Sequence, residues 1–314
     1  MKNLLRAALV AAALSPLAPA QIVVGTGGDL QAAIDAAPSG SIIEIQSDET
    51  FAGPLTFAAS PAKDLSLVAG DGYAPVIDGG TDRAIIVELS AKSTRFKGLT
   101  LTSTASSWSI QMVSPPLVAG ELQELVVDDC HLDSGLYVVH TGAGRVDLTL
   151  RDSTVENYSM SVTAINGELN ADVRDTTIED LLLYGSGIGD LDVMVRDSTI
   201  TDRINTYAEN GELDLELLRC RVEGPVIFGL YATALLPSGT LRAESTVFDG
   251  KLVSSTATGV LLEGTTGPGG LGLELIQCTV VDWGTGIRLP VLPTGTAGVL
   301  LRNTLLARNT TDLA

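Results

Sequence analysis

Three arginine–aspartate pairs recur along this chain at nearly constant spacing: Arg151-Asp152, Arg174-Asp175 and Arg196-Asp197. A row of guanidinium groups could grip the carboxylates of an anionic sugar chain. A row of carboxylates at Asp152, Asp175 and Asp197 could offer oxygen ligands to Ca²⁺, a hard cation. Each has a plainer explanation. Asp bonds its own backbone in tight turns and tolerates a left-handed conformation there. A turn is needed in every repeat, a metal site only once. Arginines ~5 Å apart repel unless aspartates intervene, and interleaved exposed pairs contribute ~1 kcal/mol or less each. Tyr137 and Tyr207 carry a third chemistry, because aromatic faces stack on sugar rings. Aromatics make up 4% of the chain, so their gathering in one region is informative. The two histidines, His131 and His140, have no catalytic setting around them.

The elements that must position these groups repeat with them. The stretch 148–202 holds one phrase three times, as LTLRDSTV, ADVRDTTI and VMVRDSTI. A period of about 20–50 residues signals stacked repeats. Looser copies extend both ways and define a small-residue column of Cys130, Ser153, Thr176, Ser198, Cys220, Ser245 and Cys278, continuing to Thr304. Three residues before it the column is apolar, except that Arg242 falls there and fits badly; two residues after it the column is apolar throughout. Leu148 and Leu150 alternate with polar residues, as a strand with one inward face requires. Helical periodicity is absent and Gly, Thr and Asp break each unit, which excludes an α-solenoid. The expected fold is all-β, a right-handed parallel β-helix of about ten coils with like residues stacked coil on coil.

Residues 1–20 read as a signal peptide: Lys2 and Arg6, an apolar run, then Ala18-Pro19-Ala20 before Gln21. Export to the cell surface or medium is therefore expected. No other segment approaches the ~20 apolar residues of a bilayer span. Residues 21–314 form one β-helix domain: cap and first coils over 21–101, an irregular loop with Trp108 over 102–120, regular coils over 121–314. The formal charge of −19 becomes −21 once Lys2 and Arg6 are removed, which argues against nucleic acid as a partner. Coils ~4.8 Å apart put Cys130 and Cys220 ~19 Å apart, and Cys220 and Cys278 ~10 Å apart. Both exceed the ~7 Å limit between bridged Cα atoms, so three free thiols are expected.

Within 27–40, GGDLQAAIDAAPSG, Asp29 caps a short helix whose apolar face is Leu30, Ala33, Ile34 and Ala37. Ser41-Ile42-Ile43-Glu44-Ile45 then starts a strand. This opening resembles that of the pectate-lyase-like superfamily, which includes many secreted bacterial β-helix proteins. The segments LSLVAGDG (65–72), VIDGG (76–80) and FKGLTL (96–101) resemble its next coils. The resemblance implies a helix that plugs the first coil, and activity on acidic polysaccharide where aspartates with Arg or Lys gather on one strand face.

That face carries no such cluster. Its strands fall at 136–139, 162–165, 181–184, 204–207, 259–262 and 286–289. With Leu136, Val162, Leu182, Ile204, Val260 and Ile287 inward, the outward residues are Tyr137, Thr163, Leu183, Asn205, Leu261 and Arg288. Tyr184 then points inward. No carboxylate pair suited to glycoside hydrolysis stands there. The expected function is an exported, non-catalytic surface, adhesive or glycan-binding scaffold with polysaccharide as partner and no cofactor, Ca²⁺ being the ion the acids would suit. The rival is a polysaccharide lyase, hydrolase or esterase. At the far end, the last copy closes at Leu306 and only a short polar tail follows. An uncovered edge templates pairing, so the chain is expected to continue or to bury this end against another molecule or domain.

Overall fold

The computed structural model describes residues 19–58, 63–88, 92–104, 108–113, 117–230, 238–250, 257–264, 270–289 and 296–314. The signal-peptide segment 1–18 lies outside them. The chain winds into a parallel β-solenoid of about 10 turns. One face is a 12-stranded sheet; a 19-stranded sheet bends round a corner and supplies two more ladders. All strand pairings among the described residues are parallel. We call the 12-stranded sheet face 1, the ladder that includes Thr50–Ala52, Val76–Asp78, Thr100–Thr102 and His131–Leu132 face 2, and the ladder that includes Leu55–Phe57, Ile85–Val87, Ile110–Val113 and Leu136–His140 face 3. Three strands, Thr154–Ala164, Thr177–Gly185 and Thr199–Ala208, run through the corner and belong to both.

The strands exist because every second residue is apolar and has a like residue to sit on. Leu148, Ala171, Val193, Leu215 and Leu241 stack in register inside face 1, as do Leu150, Val173, Val195, Leu217 and Ala243. These side chains are 0–3% exposed. Each large aliphatic so buried stabilises by ~1.5–3 kcal/mol. At the N-terminal end the helix Leu30–Ala36 lies over the first coils with Leu30 and Ile34 buried, and the Asp29 side chain accepts from the Ala32 N–H at 2.9 Å. At the other end Val299, Leu301 and Leu313 are 37–51% exposed, and the strands Thr296–Arg302, Leu305–Ala307 and Thr311–Leu313 pair on one side only among the described residues.

The corner after face 1 explains the repeated phrase. Asp129, Asp152, Asp175, Asp197, Arg219, Ser245, Gln277 and Asn303 all have φ between 49° and 54°. Gly98 holds the equivalent place with φ 68°. This left-handed residue makes the bend, and Asp and Asn tolerate it best among residues with a Cβ. The next residue turns inward. Cys130, Ser153, Thr176, Ser198, Cys220 and Cys278 are each at most 5% exposed.

The expected place of Ser245 in that column needs correction. Ser245 is the left-handed, exposed residue and Thr246, fully buried, is the column member. The shift also resolves Arg242. Ala243 takes the apolar position beside Leu217 and Leu275, while Arg242 lies outward between Glu216 and Glu274.

The column is bonded as well as packed. Ser198 Oγ donates to the Arg196 carbonyl at 2.6 Å and accepts the Thr176 N–H at 3.2 Å. Ser153 and Thr246 do the same for Cys130 and Cys220. Replacing Ser198 by Ala leaves the buried Thr176 N–H without its acceptor, while the Arg196 carbonyl keeps the Asp175 N–H, and is expected to cost about 1–3 kcal/mol of unfolding free energy. Ser198→Cys is expected to cost less, because Cys220 Sγ already bonds carbonyls at the equivalent site. Urea unfolding of the two variants checks this; equal losses would contradict it.

As expected, Cys130, Cys220 and Cys278 are free and buried. Burial pushes the thiols of Cys130 and Cys220 up to about 11, so neither is a thiolate nucleophile near neutral pH.

Candidate functional site

Face 1 carries the arginine rows. Arg151, Arg174 and Arg196 pair in register on successive coils. Each already has an acidic partner. Arg151 Nε and Nη2 donate to Asp128 at 2.9 and 2.8 Å, and Arg95 donates to the same carboxylate at 2.6 Å. Arg174 and Arg196 share Asp172. Burial pushes the Asp128 and Asp172 carboxyls up, but the guanidinium hydrogen bonds outweigh it and hold both below the usual carboxylate range. The predicted metal residues Asp152, Asp175 and Asp197 stand at the left-handed corner, one per coil and exposed. Asp197 is bound by both ends of the Arg219 guanidinium. Among the described residues no group of three or more His, Cys, Asp or Glu is placed to hold a metal ion.

Beside the arginines, a groove of about 780 Å³ runs over Asp147, Asn170, Asp192 and Asp214 to Arg242. Its centre is short of cations. Burial, then Asp214, Glu168 and Asp190, push the Asp192 carboxyl up, against Arg145. Glu212 is pushed up by burial and then by Asp214, Asp190 and Asp192. A carboxyl whose folded-state pKa lies above its unfolded value contributes stability that is present below the unfolded value and lost as pH rises through the folded one. Asp192→Asn is therefore expected to stabilise the chain at neutral pH by up to about 1 kcal/mol, as befits an exposed group, and so to raise the melting temperature there, with no gain below pH ~3.9. Thermal scans at both pH values test this; an equal gain at both would contradict it.

Face 3 has a different chemistry. Its outward rows are nearly uncharged. Tyr137, Ser161, Leu182, Asn205, Ile227 and Leu261 stand in register, and beside them Val139, Thr163, Tyr184, Tyr207 and Gly229. Tyr184 points outward here, contrary to the sequence reading, and lies coil on coil with Tyr207. Leu181 and Leu183 are the buried pair and Leu182 the outward residue, which reverses the expected parity. The cause is the corner: Val155–Met160, Ile178–Leu181 and Ile200–Ile204 bracket different numbers of residues, with a bulge in each pairing. One residue more or less flips every later side chain.

The residues 102–120 were expected to loop; Ile110–Val113 within them is instead a face 3 strand paired with Ile85–Val87 and Leu136–His140. It brings Trp108 onto Tyr137, stacked with centroids 4.9 Å apart and planes 19° apart. Tyr158 meets the same indole edge-on at 4.7 Å and 79°. Two backbone devices make this possible. Asn157, at φ 58°, turns the corner so that Tyr158 stays 38% exposed. Gly135, at φ 94°, leaves room beneath: a Cβ there would lie 3.1 Å from Trp108 Cε3 and 3.2 Å from Tyr158 Cβ. Of this cluster, sequence reasoning found Tyr137, placed Trp108 in a loop and passed over Tyr158. The available signal was the one-coil offset between Trp108 and Tyr137.

At the margin of face 3, Ser159, Asp180 and Arg203 stand in register. Asp180 Oδ2 accepts from Arg203 at 3.0 Å, while Oδ1 is buried without a hydrogen bond. Burial pushes the Asp180 carboxyl up, Arg203 pulls it down, and Asp202 beside it pushes it up again, leaving it above the usual range. His140 is fully buried on Gly144 O at 2.9 Å, and burial pushes its pKa down.

The fold and these faces define a parallel β-solenoid scaffold. Comparison with family models, curated proteins and solved structures finds no match to the chain. No helix among the described residues is long and apolar enough to cross a membrane.

Proposed function

We propose that this protein is an exported, non-catalytic, glycan-binding β-helix of pectate-lyase-like kind. The observation that carries the reading is the Trp108–Tyr137–Tyr158 cluster on the outside of a rigid sheet. Aromatic side chains carry a large apolar surface, usually buried, and Tyr adds a hydroxyl. The arginines of face 1 are each already paired with an aspartate, so that face has less to offer an anion. The signal-peptide features of 1–20 support export, and the helix over the first coils supports the superfamily likeness. The exposed apolar end at Val299, Leu301 and Leu313 supports a contact there with another molecule or domain.

One observation favours the catalytic alternative. A carboxyl with a raised pKa beside an arginine, as at Asp180, is the kind of group active sites contain. The test reads both outcomes together: pectin, polygalacturonate, alginate, chondroitin, cellulose, xylan and mannan are assayed for protein retention, reducing ends and unsaturated product. Retention without turnover is the expected result. Turnover that Asp180→Asn abolishes would replace the binding reading with an enzymatic one.

A further inference from the structure

Face 3 differs from the rest of the molecule in charge. The chain carries a formal −19, yet the outward rows from Tyr137 to Leu261 contain no ionisable group other than tyrosine until Glu263. Charges resume at the margins, where Asp180 pairs with Arg203, and Asn157 Nδ2 donates to Asp133 at 2.6 Å. A solenoid this acidic repels a polyanion on approach, and between Tyr137 and Leu261 these rows hold no cation; Arg288 follows one coil beyond Leu261.

What the face does offer is spaced along the axis. The Trp108–Tyr137 stack lies at one end and the Tyr184–Tyr207 pair at the other. Three coil steps of ~4.8 Å separate Tyr137 from Tyr207, about 14 Å. Between and beside them stand the half-buried hydroxyl of Thr163 and amide of Asn205, while Ser161 in the same row is only 4% exposed. Apolar planes with hydrogen-bonding groups at their edges match a sugar ring, whose faces are C–H and whose rim is hydroxyl. A strand lattice presents them already ordered, so little conformational freedom is lost on binding.

Resting on the glycan-binding reading, we propose that the ligand is an uncharged polysaccharide that lies along the solenoid axis on face 3, from the Trp108–Tyr137–Tyr158 cluster to Tyr184 and Tyr207. A charge-poor strip of aromatic, aliphatic and small polar side chains on a flat sheet is a poorer fit for a protein partner, which would need a central pocketed anchor.

The test titrates the mature chain by calorimetry with β-1,4-linked hexasaccharides of glucose, xylose and mannose, and with hexagalacturonate, at low and high salt. The expected result is binding of at least one neutral hexasaccharide with an affinity that salt does not change. Trp108→Ala should weaken it about tenfold, and so should Tyr184→Ala, on a surface strand far from the cluster. The disaccharide should bind more weakly than the hexasaccharide. Circular dichroism and melting temperature establish that each variant is folded. Binding of hexagalacturonate alone, falling with salt, would overturn the neutral-ligand inference and leave glycan binding standing. Neutral binding unaffected by Tyr184→Ala would overturn the axial path. No binding of any sugar by the folded protein would overturn both.

Discussion

Gly135→Ala is expected to destabilise the chain by about 2–6 kcal/mol and to take the aromatic cluster apart. Two costs add. The position has φ 94°, which a residue with a Cβ adopts only under strain of ~1–3 kcal/mol. The new methyl would also lie 2.5 Å from the Ser159 carbonyl oxygen, a backbone atom that cannot swing aside. Overpacking of this kind costs ~1–3 kcal/mol more. The Gly135 carbonyl accepts the Ser109 N–H at 2.9 Å, so any shift here is passed to the segment that carries Trp108. Denaturant unfolding reads the first effect, and near-ultraviolet circular dichroism of the Trp108–Tyr137 stack reads the second. A variant with native stability and an unchanged aromatic signal would show that the glycine is not needed.

Asp128→Asn is expected to cost about 2 kcal/mol near neutral pH. Asp128 has a side chain only 7% exposed and receives three hydrogen bonds from Arg95 and Arg151. Breaking a fully buried pair costs ~3–5 kcal/mol, and an exposed one ~1 or less. Both arginines are more than a third exposed, so solvent screens the pair and the value falls between these limits. The sign with pH is opposite to that of Asp192. The folded-state pKa of Asp128 lies below the unfolded value, so its contribution is present above the unfolded pKa and lost as pH falls through the folded one. The gap between Asp128→Asn and the parent should therefore close as the solution is made strongly acidic. A gap that stays constant from neutral to acid would mean that the charge is not what stabilises.

The fold was legible because a solenoid writes its geometry into the sequence as a period. The Arg-Asp-Ser-Thr phrase fixed the left-handed corner, the inward small residue and the strand after it before any coordinate. It failed where the period itself changed. The step from Cys220 to Thr246 is longer than its predecessors, and a one-residue slip there moved Ser245 into the column and Arg242 into the core position. Corners of unequal length did the same to Leu182 and Tyr184. Trp108 and Tyr158 were hidden for another reason. Neither belongs to the repeat, and they meet where a left-handed asparagine turns one corner and a glycine on the coil before it leaves room for both rings. A site assembled from departures from the pattern cannot be read from the pattern.

Trp108 offers the most direct test of the claim that face 3 binds sugar. The chain has two tryptophans, and Trp283 is 2% exposed, with its indole N–H on the Phe248 carbonyl. Quenching by acrylamide therefore reports chiefly on Trp108. Titration of the mature protein with the neutral hexasaccharide that binds best should lower the accessible fraction of fluorescence in step with the calorimetric isotherm. Saturating binding that leaves the quenching of Trp108 unchanged would place the ligand elsewhere and contradict the account.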